Sequence, residues 1–155
     1  MSTTLKAGDK APVFTANDQS GNPVKLTDFK GKKVVLYFYP KDDTPGCTKE
    51  ACNFRDNFNL LKKKGIEVIG ISTDSVKSHG KFADKYELPF TLIADEDKAI
   101  VTAYGVWGEK KFMGKTYMGT SRTTFIIDEK GIIQHIITKV DTANSTEQVL
   151  ELIEA

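Results

Sequence analysis

The chain holds two cysteines, Cys47 and Cys52, and both fall in one stretch, PKDDTPGCTKEAC, spanning residues 40–52. Thr44 is a residue type that caps helix N-termini and Pro45 suits the first helical position, which places Cys47 in a first turn. There the unpaired backbone N–H groups and the positive end of the helix dipole favour a thiolate, and a thiolate is a nucleophile. Cys52 lies beyond the reach of that dipole. Helical phase also separates the two. Cys47 sits at the edge of an apolar face formed by Ala51, Phe54, Phe58 and Leu61. Cys52 lies about 140° round the helix on its polar side, with its Cα roughly 8–9 Å from that of Cys47. A disulfide tolerates at most about 7 Å. The reduced protein is therefore expected to keep both thiols free and the helix intact, and a bond between them requires the first turns to unwind.

The remaining residues argue against other thiol chemistry. Cys47 and Cys52 with His79 and His135 match no zinc-ligand spacing. His79 reads as a solvated helix residue and His135 as part of a strand, so neither is placed to act as a base beside Cys47. The helix and a fixed cation must then hold the thiolate. Arg55 and Arg122 are the only arginines. Arg122 is the better placed, because it immediately precedes a predicted strand, whereas Arg55 lies two turns into the helix and off its buried face. On residue types alone, an inert core thiol at Cys47, a chance cysteine at 52, a helix cap at Thr44 and a surface arginine at 122 remain open alternatives.

The elements that must position these residues follow from periodicity. Residues 11–26 form short strand-like pieces broken at a turn cluster over 18–23, an N-terminal hairpin. Residues 33–39 (KVVLYFY) read as a central strand buried on both faces. A helix is predicted over 45–64, ended by Gly65 after three lysines that suit a helix C-terminus. A strand over 66–72, a helix over 75–86, a strand over 90–94 and a short helix over 97–104 come next. Residues 105–121 lack clear signals and read as a long loop, carrying Trp107, Phe112, Met113 and Tyr117 between lysines, which lines a pocket or packs over the fold. A hairpin over 123–128 and 132–138 and a helix over 145–154 complete the chain. The order βαβαβ, hairpin, helix predicts an α/β fold, a mixed sheet with helices on both faces, in one domain over residues 1–155.

Composition narrows the classes. Lys plus Arg number 22 against 21 for Asp plus Glu, a net charge of +1, which supplies no general positive field for nucleic acid. The longest apolar run, residues 34–39, is far shorter than the roughly 20 residues of a membrane helix. The first six residues show neither a secretory signal nor a transit peptide, so a cytoplasmic location is expected. Two cysteines are too few for a disulfide scaffold.

Taken together, Pro40, Thr44 and Cys47 in a P-x-x-x-T-x-x-C loop, and Arg122 within SRTTF at 121–125, resemble the peroxiredoxins. The C-x4-C spacing, with YGVWGEK at 104–110 and YMG at 117–119, is similar to the subgroup called bacterioferritin comigratory protein or peroxiredoxin Q. The resemblance spans nearly the whole chain. It implies a thioredoxin-like fold with an N-terminal extension and a thiol peroxidase acting on hydrogen peroxide and organic hydroperoxides. It further implies Cys47 as the peroxidatic thiolate, which becomes a sulfenic acid, and Cys52 as the resolving thiol that condenses with it as an intramolecular disulfide. Thioredoxin or a similar dithiol would recycle the product. Arg122 would favour the thiolate and hold the peroxide, the Gly46 and Cys47 N–H groups would stabilise developing charge, Thr44 would hydrogen-bond the substrate oxygen, and Pro40 would wall the pocket. No metal, haem or flavin is implied, and the subgroup suggests a monomer. Two other readings stay in view: a thioredoxin-type dithiol oxidoreductase, against which the x4 spacing argues, and a redox-inert thioredoxin-like binding module.

Overall fold

The computed structural model describes residues 3–154. The N-terminal hairpin pairs β1 (Thr15–Asp18) with β2 (Pro23–Lys25), and the Asp18 carboxylate closes its turn by accepting from the N–H groups of Ser20 and Asn22. There follow β3 (Lys33–Phe38), α1 (Pro45–Asp56), α2 (Phe58–Lys63), β4 (Ile66–Ser72), α3 (Val76–Tyr86), β5 (Thr91–Ala94) and α4 (Ala99–Ala103). The chain then runs through β6 (Trp107–Phe112), β7 (Lys115–Thr120), β8 (Thr123–Ile127), β9 (Ile133–Ile137) and α5 (Ser145–Ile153).

Seven strands form one mixed sheet in the order β2-β1-β5-β4-β3-β8-β9. Strands β3, β4 and β5 are parallel, as their helical crossovers require, while β1, β8 and β9 run antiparallel to their neighbours. Alternation along β3 builds the two core layers. Val35, Tyr37 and Tyr39 face a layer shared with Ala51 and Phe54 of α1, Leu61 of α2, Phe82 of α3 and Val149 of α5. Val34, Leu36 and Phe38 face the opposite layer with Leu26, with Ile100 and Val101 of α4, and with Tyr104. Burying each large side chain contributes about 1.5–3 kcal/mol, and the continuous apolar composition of β3 is what lets it serve both layers. The predicted mixed sheet with helices on both faces is the observed architecture.

The topology determines where a site can form. β3 runs toward α1 and β8 runs the other way beside it, with Phe38 opposite Thr123. The C-terminal end of β3, the N-terminus of α1 and the residues just before β8 therefore meet at one edge.

Four expectations need correction. The helix over 45–64 is two helices broken at Asn57, whose side-chain amide donates to the Asn53 carbonyl at 2.8 Å, the acceptor a continuous helix would have given to the Asn57 N–H. Residues 105–121 are largely a β-hairpin, β6 against β7, separate from the main sheet. Its turn needs left-handed backbone at both Met113 (φ 51) and Gly114 (φ 77), and a methionine there is no recognisable turn signal. His79 is not solvated. It lies on the inner face of α3 with Phe82 and Ala83 and is fully buried. The helix predicted over 97–104 begins only at Ala99, because Lys98 adopts the left-handed region at φ 64.

Candidate active site

Pro40 is half-buried just past β3, and a short turn leads to Thr44, the N-cap of α1 with extended backbone. The Thr44 hydroxyl does not cap the helix as the sequence predicted. It donates to the Lys41 carbonyl at 2.9 Å, which leaves its oxygen lone pairs able to accept from a ligand. The Thr44 carbonyl takes the first helical bond, from the Thr48 N–H at 2.8 Å. Helix geometry leaves the N–H groups of Gly46 and Cys47 without intrahelical acceptors, next to the positive end of the dipole.

Cys47 is 1% exposed and its thiol is free. Arg122 reaches it from the β8 edge, Nη2 donating to Sγ at 3.2 Å, while Nη1 donates to Glu50 Oε1 at 2.9 Å. Burial works against the Arg122 charge, but Cys47 and Glu50 more than offset it and strengthen its hold on its protons. Gly46 makes the approach possible, because a Cβ there would lie 3.1 Å from Nη2. Arg55, by contrast, points away and bonds Asp56 and the Tyr86 carbonyl.

Glu50 is fully buried, and burial pushes its carboxyl up to about 7 against the opposing pull of Arg122 and Ser145. The Ser145 hydroxyl lies 2.9 Å from the Asp141 carbonyl and 3.5 Å from Glu50 Oε2, so Arg122, at 2.9 Å, is the closer donor to Glu50. Lys110 of β6 adds a second cation. Its Nζ donates to the Thr120 carbonyl at 2.9 Å, and burial, then Arg122, lower its proton affinity while Cys47 raises it.

Cys52 lies on α1, half-buried and free, in the same unbroken helix as Cys47. Burial pushes its thiol up, with Arg55 opposing and Asp56 adding. The structure thus brings Cys47, Gly46, Thr44, Arg122 and Pro40 to one edge and keeps Cys52 apart on the far side of α1. A cleft of about 570 Å³ adjoins the turn at Asp42 and Asp43, and another of about 540 Å³ lies beside β1, β5 and α4, but neither contains Cys47.

Glu50 and Lys110 were not recognised from the sequence. The signal for Glu50 was present, since it lies three residues after Cys47 on one helical face. Lys110 had none, because the hairpin that delivers it was read as a loop.

The sequence and the fold match known proteins. Residues 7–136 match the AhpC/TSA family. The chain is 53% identical to Peroxiredoxin Bcp of Escherichia coli over 94% of each chain. It superposes with a TM-score of 0.92 on a mutant PrxQ from Xylella fastidiosa, at 29% identity over 99% of this chain and 98% of that one. The bacterioferritin comigratory protein of Xanthomonas campestris, described for its alkyl peroxide reduction activity, gives a TM-score of 0.86 at 32% identity over 99% and 98%. A free thiol in a helix's first turn, an arginine on its sulfur, a mixed sheet of the thioredoxin-like kind and these likenesses agree: the chain belongs to the AhpC/TSA family and, within it, to the thiol peroxidases of the Bcp and PrxQ group of peroxiredoxins.

Proposed function

We propose that Cys47 is the peroxidatic thiol and Cys52 the resolving thiol of a peroxidase recycled by thioredoxin or a similar dithiol. The observation that carries this reading is the 3.2 Å hydrogen bond from Arg122 Nη2 to Cys47 Sγ in the first turn of α1. The Cys47 thiolate attacks the terminal oxygen of a hydroperoxide, the O–O bond breaks, and the leaving oxygen departs as water or an alcohol once protonated. Arg122 and the Gly46 and Cys47 N–H groups hold the charge that shifts along the O–O bond, and the Thr44 hydroxyl accepts from the substrate's O–H. Half-buried Pro40 helps keep water from the sulfur. The alkyl peroxide reduction described for the Xanthomonas protein supports organic hydroperoxides as substrates beside hydrogen peroxide.

The Cys47 sulfenic acid then condenses with the Cys52 thiol, forming the S–S bond and releasing water. Five residues of α1 hold their Cα atoms roughly 8–9 Å apart, so α1 must first open. A dithiol reduces the disulfide, becoming oxidised in turn. The protein acts as a monomer, since its exposed large apolar side chains are scattered or confined to the β6–β7 hairpin.

The test adds substoichiometric hydrogen peroxide to reduced protein. Fast loss of the Cys47 thiol, then a Cys47–Cys52 disulfide by peptide mass analysis, supports the reading; slow thiol loss, or insulin reduction without peroxide consumption, defeats it. Light scattering checks the monomer.

A further inference from the structure

Behind the Cys47 turn lies a buried polar cluster that the peroxide chemistry leaves unused. His79 Nδ1 is 2.6 Å from Asp42 Oδ2, and His79 Nε2 is 2.8 Å from the Ile93 carbonyl. Both ring nitrogens therefore face acceptors, and each contact needs a hydrogen. Asp42 already accepts from the Tyr39 hydroxyl on Oδ1 at 2.5 Å and from the Ser78 hydroxyl on Oδ2 at 2.8 Å. With the Tyr39 and Ser78 hydroxyls already donating to Asp42, the hydrogen of the 2.6 Å contact is assigned to His79 Nδ1 and that of the 2.8 Å contact to Nε2. On that assignment His79 and Asp42 form a buried ion pair.

Such a pair is a poor source of net stability, because apolar side chains of the same volume stabilise as well. Its placement has more to say. Asp42 sits two residues before Thr44 and five before Cys47, and its N–H donates to Asp74 Oδ2 at 2.9 Å. Ser72 Oγ also donates to that oxygen, at 2.6 Å. Asp43 holds the left-handed region at φ 56, with its carboxylate taken by Lys85 Nζ and the Tyr86 hydroxyl, each at 2.8 Å. The turn that aims the Thr44 hydroxyl and the N–H groups of Gly46 and Cys47 is thus bolted to α3, with the ion pair at the buried end.

We propose that the His79–Asp42 ion pair is a positioning element for the peroxide step: it holds the 40–44 turn against α3, and in doing so opposes the opening of α1. The second half rests on the Cys47–Cys52 reading above. Removing the ring charge leaves a buried carboxylate short of a partner, so the turn relaxes, the aligned folded form is less populated and the opened form more so.

The experiment compares wild type, His79→Gln, Asp42→Asn and Val101→Ala. A glutamine offers at most one of the two contacts. Val101, buried in the opposite core layer, controls for lost stability alone. In rapid-mixing kinetics, His79→Gln and Asp42→Asn should slow peroxide attack about tenfold, the scale set by small misalignments, and speed disulfide formation severalfold. Val101→Ala should leave the ratio of the two rates near wild type. Nitrogen-15 spectra of reduced wild type at neutral pH should show a hydrogen on both His79 ring nitrogens. A wild-type rate ratio in both clamp variants, the same change in Val101→Ala, or a singly protonated ring would overturn the proposal. Should wild type form no Cys47–Cys52 disulfide, the resolving reading fails separately, and the peroxide step with the ring spectra decides on the clamp.

Discussion

Glu50 lies fully buried with Oε1 2.9 Å from Arg122 Nη1, while the same guanidinium reaches Cys47 Sγ with its other nitrogen. One planar cation thus bridges a carboxylate and a sulfur, and the rigid fork makes its position at one end depend on the other.

Replacing Arg122 with alanine should slow the reaction of Cys47 with hydrogen peroxide on the order of 100-fold, the usual cost of losing one donor aimed at developing charge. Arg122→Lys should recover only part, since an ammonium cannot serve sulfur and carboxylate together. Rapid-mixing fluorescence or thiol titration reads the rate, and an unchanged rate in Arg122→Ala would remove the guanidinium from the site's chemistry.

Gly46→Ala separates stability from activity. Alanine favours a helix over glycine by up to about 1 kcal/mol, so the melting temperature should hold or rise. Its Cβ, 3.1 Å from Arg122 Nη2, should displace the guanidinium and slow the peroxide step. Calorimetry and kinetics on one preparation check both, and a full-rate variant would show that Arg122 tolerates the shift.

The Glu50 carboxyl, pushed up to about 7 from 4.5 by burial, links stability to pH. The folded protein binds this proton more tightly than the unfolded chain, so the contribution is complete below 4.5 and is lost as pH rises through about 7. Glu50→Gln cannot lose a proton. Between about pH 5 and pH 8 the wild type should therefore lose on the order of 3 kcal/mol relative to Glu50→Gln, as an upper bound. Denaturant unfolding across this range tests it, and a pH-independent difference between the two proteins would count against it.

Cys52→Ser should consume about one equivalent of peroxide and then stall with thioredoxin as reductant, because the Cys47 sulfenic acid has no internal thiol to condense with. Cys47→Ser should consume none. Asn57→Ala should join α1 to α2, add a few tenths of a kcal/mol of helix stability and slow disulfide formation severalfold in an otherwise wild-type background. Normal dithiol-linked turnover by Cys52→Ser would end its resolving role.

Much of this was legible along the chain. The apolar run of β3, the Thr44-Pro45 start of α1 and the phase that parts Cys47 from Cys52 are local properties, and each lies where expected. What was misread depends on partners distant in sequence or on unusual backbone. His79 looked solvated because its carboxylate partner lies 37 residues earlier. The β6–β7 hairpin was missed because its turn places Met113 at positive φ, and with it went Lys110.

By itself the sequence determined which thiol sits in a helix's first turn and that no bond can join the pair while that helix stands, since rise and pitch are the same in any α-helix. Only the tertiary structure put the Arg122 guanidinium, the better placed of the two arginines in the sequence, on Cys47 and showed that Glu50 shares it and that His79 pairs with Asp42. These contacts join residues 72, 75 and 37 positions apart, and it is the antiparallel pairing of β8 with β3 and the packing of α3 beside the turn that bring them within hydrogen-bonding range.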